Sequence, residues 1–176
     1  MQTNLFVDGY NIIGAWQELT KLKDVDLEAA RRKLIDEMVE YQATSHYRIV
    51  LVFDGHLVKN NKGTQEVYSN IEVIYTKEGE TADTMIERLV AHLPKYHRTY
   101  VATSDRVEQE FILTKGALRI SARELRLWVK EAKLETKKIL KRGVSTQRGA
   151  RNALECSDNL TYDKITLVFR RGIDYE

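Results

Sequence analysis

Short apolar runs punctuate this chain at regular intervals, and each is followed by a segment of helical periodicity. Leu5 to Val7 is apolar and stops at Asp8, and Arg48-Ile-Val-Leu-Val-Phe53 stops at Asp54-Gly55. Runs this short, continuous rather than alternating, predict strands buried on both faces. Ile71-Glu-Val-Ile-Tyr-Thr76 and Arg98-Thr-Tyr-Val-Ala-Thr103 carry the same β-branched and aromatic signature, and Leu118 to Ile120 predicts a short fifth strand.

The intervening segments repeat at helical spacing. Asp26 is placed to cap a helix running to about Ser45, with Leu27, Ala30, Leu34, Met38 and Tyr41 on one face. Thr81 caps a second, striped by Met85, Ile86, Leu89, Val90 and Leu93 and ending near Pro94. Asp105 to Lys115 predicts a third, closed by Gly116, and Ser121 caps a fourth through Leu125, Trp128, Ala132 and Leu140. After Leu140 the pattern decays into Lys-Arg-Gly-Val-Ser-Thr-Gln-Arg-Gly-Ala-Arg, which predicts a loop. Near the C-terminus, Thr161 and Gly172 frame a short helix, although Ile165 to Phe169 has strand propensity. Strands alternating with helices imply an α/β fold with a mostly parallel sheet covered on both faces.

The 176 residues suit one domain spanning 1–176, with a basic helix and loop at about 130–153. A single cysteine, Cys156, excludes an internal disulfide and a cysteine-rich zinc site. The longest apolar run is Ile49–Phe53 and the N-terminus has no signal-peptide pattern, so the expected location is cytoplasmic, with no membrane partner.

Charge changes the picture more than composition does. Between Lys130 and Arg151 eight cations stand against Glu131 and Glu135, so this stretch carries +6 of a chain whose total is +2, leaving −4 for the rest. Such asymmetry is a solvated helix face or an electrostatic footprint for a polyanion, and the acidic remainder favours the footprint. Lys137, Lys138, Lys141, Arg142, Arg148 and Arg151 are the candidate contacts to nucleic-acid phosphates.

The acids fall on the other side of this division. Asp8 and Asp54 close strands one and two, Asp105 follows strand four, and Asp83 opens the helix after strand three. In an open α/β sheet all four lie at the carboxyl edge, where ligands bind. Convergent carboxylates repel unless a cation or proton neutralises them, and oxygen donors without His or Cys nearby select a hard ion, Mg²⁺ or Mn²⁺. Each acid also has a structural reading: an Asx turn at Asp8-Gly9, dipole compensation by Asp83, an N-cap at Asp105, a turn pair at Asp54-Gly55. Asn11, one turn from Asp8, orients a carboxylate or a scissile phosphate, or caps locally. Glu80 and Glu87 stand near enough in sequence to be outer ligands or plain surface acids. Tyr10 stacks on a base or packs; packing is the commoner use. Trp16 and Trp128 read as core or interface residues, and the four histidines are scattered without catalytic spacing.

Taken together, Val7-Asp8-Gly9-Tyr10-Asn11, Val52-Phe53-Asp54-Gly55, Glu80-Thr81-Ala82-Asp83 and Ala102-Thr103-Ser104-Asp105, in this order, resemble the YacP-like NYN-domain proteins. The likeness extends to Arg119-Ile-Ser-Ala-Arg-Glu-Leu125 and the closing Arg-Arg-Gly, and so covers nearly the whole chain. NYN domains are similar to PIN-domain nucleases. The resemblance implies a central parallel sheet, an acidic metal site at Asp8, Asp83 and Asp105 with Asn11 beside it and Asp54 a less certain ligand, and ribosome-dependent cleavage of messenger RNA. Metal-activated water attacking the phosphodiester in line leaves a 5′-phosphate and a 3′-hydroxyl. The rival readings are a catalytically inactive RNA- or ribosome-binding module and a haloacid-dehalogenase-like phosphohydrolase. Tyr10, where the latter needs a second aspartate, weighs against it, and no Gly-x-Gly-x-x-Gly supports a dinucleotide site.

Overall fold

The structure, a computed structural model, describes residues 2–55, 63–94, 96–103 and 116–153, with backbone alone over 140–153. The chain divides into two compact units, Met1–Lys137 and Lys138–Glu176. In chain order the elements are β1 (Thr3–Asp8), α1 (Gly9–Ala15), α2 (Gln17–Lys23), α3 (Leu27–Ser45), β2 (Arg48–Phe53), β3 (Thr64–Tyr68), β4 (Ile71–Tyr75), α4 (Ala82–Ala91), β5 (Arg98–Ala102), β6 (Leu118–Ile120) and α5 (Ala122–Ala153).

The six strands form one sheet in the order β3-β4-β2-β1-β5-β6. Only the β3–β4 pair is antiparallel. The central strands are apolar throughout because both faces are covered. Leu5, Val7, Ile49, Leu51 and Phe53 face a core shared with α1, α3 and α5, whereas Phe6, Val50 and Val52 face Ile86 and Val90 of α4. At about 25 cal/mol per Å² of apolar surface, this two-sided burial is the main favourable term in folding.

Local signals start the helices where the sequence places them. The Asp26 carboxylate accepts from the Ala29 N–H at 3.0 Å, and α3 ends at His46 in the left-handed region, φ 57°. The Thr81 hydroxyl accepts from the Thr84 N–H at 3.2 Å to cap α4. Ser121 and Glu124 cap α5 reciprocally, the Ser121 N–H donating to the Glu124 carboxylate at 2.7 Å and the Glu124 N–H to the Ser121 hydroxyl at 3.2 Å. The segments on either side of Trp16 are the short helices α1 and α2. Its indole N–H donates to the Ala122 carbonyl at 2.9 Å and the ring is buried, so Trp16 belongs to the core.

Two expectations are corrected. Residues 64–68 form a strand that the sequence does not announce, because every side chain of β3 is exposed and Thr-Gln-Glu-Val-Tyr has no buried face to impose alternation. It is held by the hairpin through Ser69 (φ 54°) and Asn70 and by backbone pairing with β4. Beyond Leu140 the backbone continues as helix to Ala153 instead of the expected loop. Gly143 and Gly149 cost about 1 kcal/mol each against alanine, too little to stop a helix otherwise rich in Lys, Arg, Gln and Ala. The helix expected over 105–115 and the element expected over 162–171 lie outside the described residues.

Candidate active site

The parallel pairing fixes the site. In register Asp8 sits opposite Val52 and Val7 opposite Ala102, so β1, β2 and β5 all present their C-termini at the same edge. Asp8 is the last residue of β1 and the N-cap of α1, its Oδ1 accepting from the Asn11 N–H at 3.0 Å. The turn is tight. A Cβ on Gly9 would lie 2.2 Å from Cε1 of Phe53, so glycine is the residue that lets β1 turn over that ring.

Asp8 is buried, and its burial pushes the carboxyl up to about 7. The Asn11 N–H pulls the other way, while the charges of Asp83 and Asp54 and a side-chain hydrogen bond with Asp83 add to the rise. Two of the other acids expected at the edge, Asp83 and Asp54, are therefore close enough to act on Asp8. Asp54 serves two purposes, since its Oδ1 also accepts from the Ala82 N–H at 2.6 Å and so fastens the end of β2 to the start of α4. That bond places Asp83, the next residue, in the first turn of α4 beside Asp8.

Thr76 is a positioning residue that sequence reasoning missed. It is fully buried, its hydroxyl accepts from the Gly55 N–H at 2.8 Å and donates to the Glu80 carbonyl at 2.6 Å, and its own N–H donates to the Phe53 carbonyl at 2.9 Å. One threonine thereby ties the Asp54 turn to the loop leading into α4. The only hint in the sequence is a hydroxyl residue ending an apolar run.

The remaining candidates separate. Asn11 is half-buried beside Asp8. Glu80 pairs with Arg88 at 2.6 Å, which supports the start of α4, and Glu87 is half-buried on the same helix. Tyr10 is packed: its ring meets Phe53 edge-on at a 5.1 Å centroid distance, and its hydroxyl accepts from Arg31 at 3.0 Å. Arg31 in turn pairs with Glu28 and lies over the Tyr75 ring. Lys137 and Lys138 are exposed on α5, and Lys141, Arg142, Arg148 and Arg151 lie on its backbone. Asp105 and Ser104 lie outside the described residues, and among those described no group of three acid, imidazole or thiol side chains is compact enough by itself to hold a metal. A divalent cation nonetheless fits the donor chemistry: Asp8, Asp54 and Asp83 are oxygen donors whose mutual repulsion is what a hard cation relieves. No described helix is long and apolar enough to cross a membrane.

Comparison with known proteins agrees with this architecture. The chain is 42% identical to Bacillus subtilis YacP over 169 residues, 96% of each chain. It superposes on the crystal structure of Rae1 (YacP) from Bacillus subtilis with a TM-score of 0.73 at 42% identity, covering 88% of both chains. A tryptophan-to-leucine mutant of that protein gives 0.72 at 41% identity, covering 82% of this chain and 85% of the other. The YacP-like NYN domain, a relative of the PIN-like nucleases, matches residues 5–166, and with these likenesses it makes the chain a member of the YacP-like NYN domain family.

Proposed function

We propose that this protein is a divalent-metal-dependent endoribonuclease that cleaves messenger RNA in association with the translating ribosome. The observation that carries the reading is the coupling of Asp8, Asp54 and Asp83 at the C-terminal edge of the sheet, with Asp8 raised to about 7 by burial and by its acidic neighbours. A buried acid among acids weakens a fold, and a ligand crevice is where a bound cation offsets that cost.

Asp8 and Asp83, joined by Asp105 and with Asp54 at the side, would hold Mg²⁺ or Mn²⁺. A cation bound there supplies charge neutralisation for the phosphodiester and acidifies a water molecule. The chain's own residues do the rest. Gly9 lets Asp8 face the crevice, the Asp54–Ala82 bond and Thr76 fix the distance between β2 and α4, and Asn11 orients Asp8 through its N–H and offers its side chain to the scissile phosphate. Lys137, Lys138, Lys141, Arg142, Arg148 and Arg151 contact RNA phosphates, of the message or of the ribosome, without reading sequence. The setting is the cytoplasm, where translated message is found.

The test compares wild type, Asp8→Asn and Asp83→Asn on end-labelled messenger RNA with Mg²⁺ or Mn²⁺, with and without translating ribosomes. Cleavage by wild type that disappears in both variants and with chelator supports the reading. Ribosome binding without cleavage by wild type in any condition refutes it in favour of a binding module. Cleavage of naked RNA at the same rate removes the ribosome from the proposal.

A further inference from the structure

At the opposite end of the sheet from the acids is a cavity of about 320 Å³ that the nuclease reading does not use. Its walls are Tyr41, Thr44, Tyr47 and Trp128, and its rim carries Glu131 and Glu135. Tyr47 immediately precedes β2 whereas Asp54 immediately follows it, so the six residues of the strand, roughly 20 Å, separate the two places.

Four independent features of this cavity select a cation. The aromatic walls are braced by one another: Tyr41 meets Tyr47 edge-on at 6.1 Å, Tyr47 stacks on Tyr100 at 6.3 Å and Tyr100 meets Trp128 edge-on at 5.2 Å. Trp128, Glu131 and Glu135 follow one another at helical spacing, which puts both carboxylates on the same face of α5 as the indole. Both glutamates are exposed and have no ion-pair partner among the described residues, although Glu37 and Glu40 nearby are bridged by Lys133 and Glu37 also by Arg126. Tyr41 is 6% exposed, yet its hydroxyl makes no hydrogen bond among the described residues. Thr44 and Tyr41 lie in the last turns of the 19-residue α3, the negative end of its dipole.

We infer that this cavity is a docking pocket for an arginine side chain on a basic segment of a partner protein, seated between Tyr47 and Trp128 and paired with Glu131 and Glu135. A guanidinium is planar and weakly hydrated, so it stacks on aromatic rings while its N–H groups reach carboxylates and hydroxyls. The chain already uses that contact internally, with Arg126 over the Trp16 ring at 4.6 Å. Inside the pocket a guanidinium is favoured over a phosphate, because the charged side chains that line it, Glu131 and Glu135, are both carboxylates. The pocket is therefore a protein-facing site separate from the acidic edge of the sheet, lying on α5 just ahead of the basic run that begins at Lys137.

The full chain is titrated with a hexapeptide carrying two arginines and with its citrulline counterpart, which keeps shape and loses charge, following the Trp128 indole N–H resonance identified with Trp128→Phe. The arginine peptide is expected to shift that resonance saturably, with the citrulline peptide and the Glu131→Gln/Glu135→Gln variant each binding at least about tenfold more weakly. Equal binding of the citrulline peptide, absence of a saturable shift, or saturation of the same resonance by uridine monophosphate in place of the peptide overturns the inference. Both glutamates are exposed, so the double variant is expected to fold, and the two peptides decide the matter on wild type alone. None of these readouts depends on nuclease activity.

Discussion

Replacing Asp8 by asparagine is expected to make the metal-free protein more stable while abolishing its proposed activity. The Oδ1 that accepts from the Asn11 N–H is kept, and what is lost is a charge that burial and two neighbouring acids disfavour. An aspartate of ordinary acidity titrates at about 3.9, and each tenfold difference in proton affinity between the folded and unfolded states is worth about 1.4 kcal/mol. With the folded carboxyl at about 7, the native state holds its proton across this interval and the unfolded state does not. The Asp8 contribution to stability is therefore full below about pH 4, is lost as pH rises, and is gone above 7, the total reaching about 4 kcal/mol. Weakening of a charge-assisted hydrogen bond in the variant takes back some of this, leaving about 2–3 kcal/mol. For a chain of this size that is a rise in Tm of roughly 5–10 °C at pH 7.5. Thermal unfolding of wild type and Asp8→Asn, in chelator, from pH 4.5 to 8, checks it. The two curves are expected to meet at the acid end and diverge upward. On the proposed function Mg²⁺ or Mn²⁺ is held by the native state alone, so its addition is expected to raise wild type more than the variant. A pH-independent difference between the two proteins, or a variant less stable than wild type at pH 7.5, refutes the electrostatic account of this edge.

Two further substitutions test the scaffold. Gly9→Ala drives a methyl group into the Phe53 ring and is expected to lower stability by about 1–3 kcal/mol, measured by urea denaturation; an unchanged midpoint contradicts the close approach described here. Thr76→Val keeps the shape of a fully buried side chain but leaves the Gly55 N–H without its hydroxyl acceptor, at a cost of about 1–3 kcal/mol. It is also expected to reduce metal affinity measured by calorimetry, since the Asp54 turn loses its tie to the loop before α4; unaltered affinity confines Thr76 to folding.

Much of this arrangement is written locally. Ile49 to Phe53 is apolar at every position because both faces of β2 are covered, and a continuous apolar run conveys that directly. Asp26, Thr81 and Ser121 announce their helices through hydrogen bonds that reach only three residues along the chain. The acids at the carboxyl edge follow from topology, once strands are known to be parallel. What is not legible depends on contacts between distant residues. The Asp54–Ala82 bond spans 28 residues and the Arg31–Tyr10 bond spans 21, and nothing in either neighbourhood encodes its partner. Tyr10 illustrates the difference, since its position beside Asp8 invites a role in substrate stacking, while the structure shows a ring held by Phe53 and a hydroxyl held by a buried arginine. β3 is hidden for the opposite reason: it is maintained by backbone pairing, and its side chains carry almost no burial signal.

The central place of β1 has a consequence for how the molecule is made. This strand leaves the ribosome before either of its neighbours in the sheet, and one of them begins only at Arg98, paired with Thr3. At roughly 5–20 residues per second, the 95 residues that separate this pair take about 5–20 s to synthesise, and for that time Leu5, Phe6 and Val7 have one open edge. The crevice at the end of β1 cannot assemble before β5 arrives, so a nascent chain has no competent site until it has cleared most of its own length. Substitutions that weaken β1 pairing should therefore appear first as loss of yield during synthesis, and only second as a lower melting temperature of whatever protein survives.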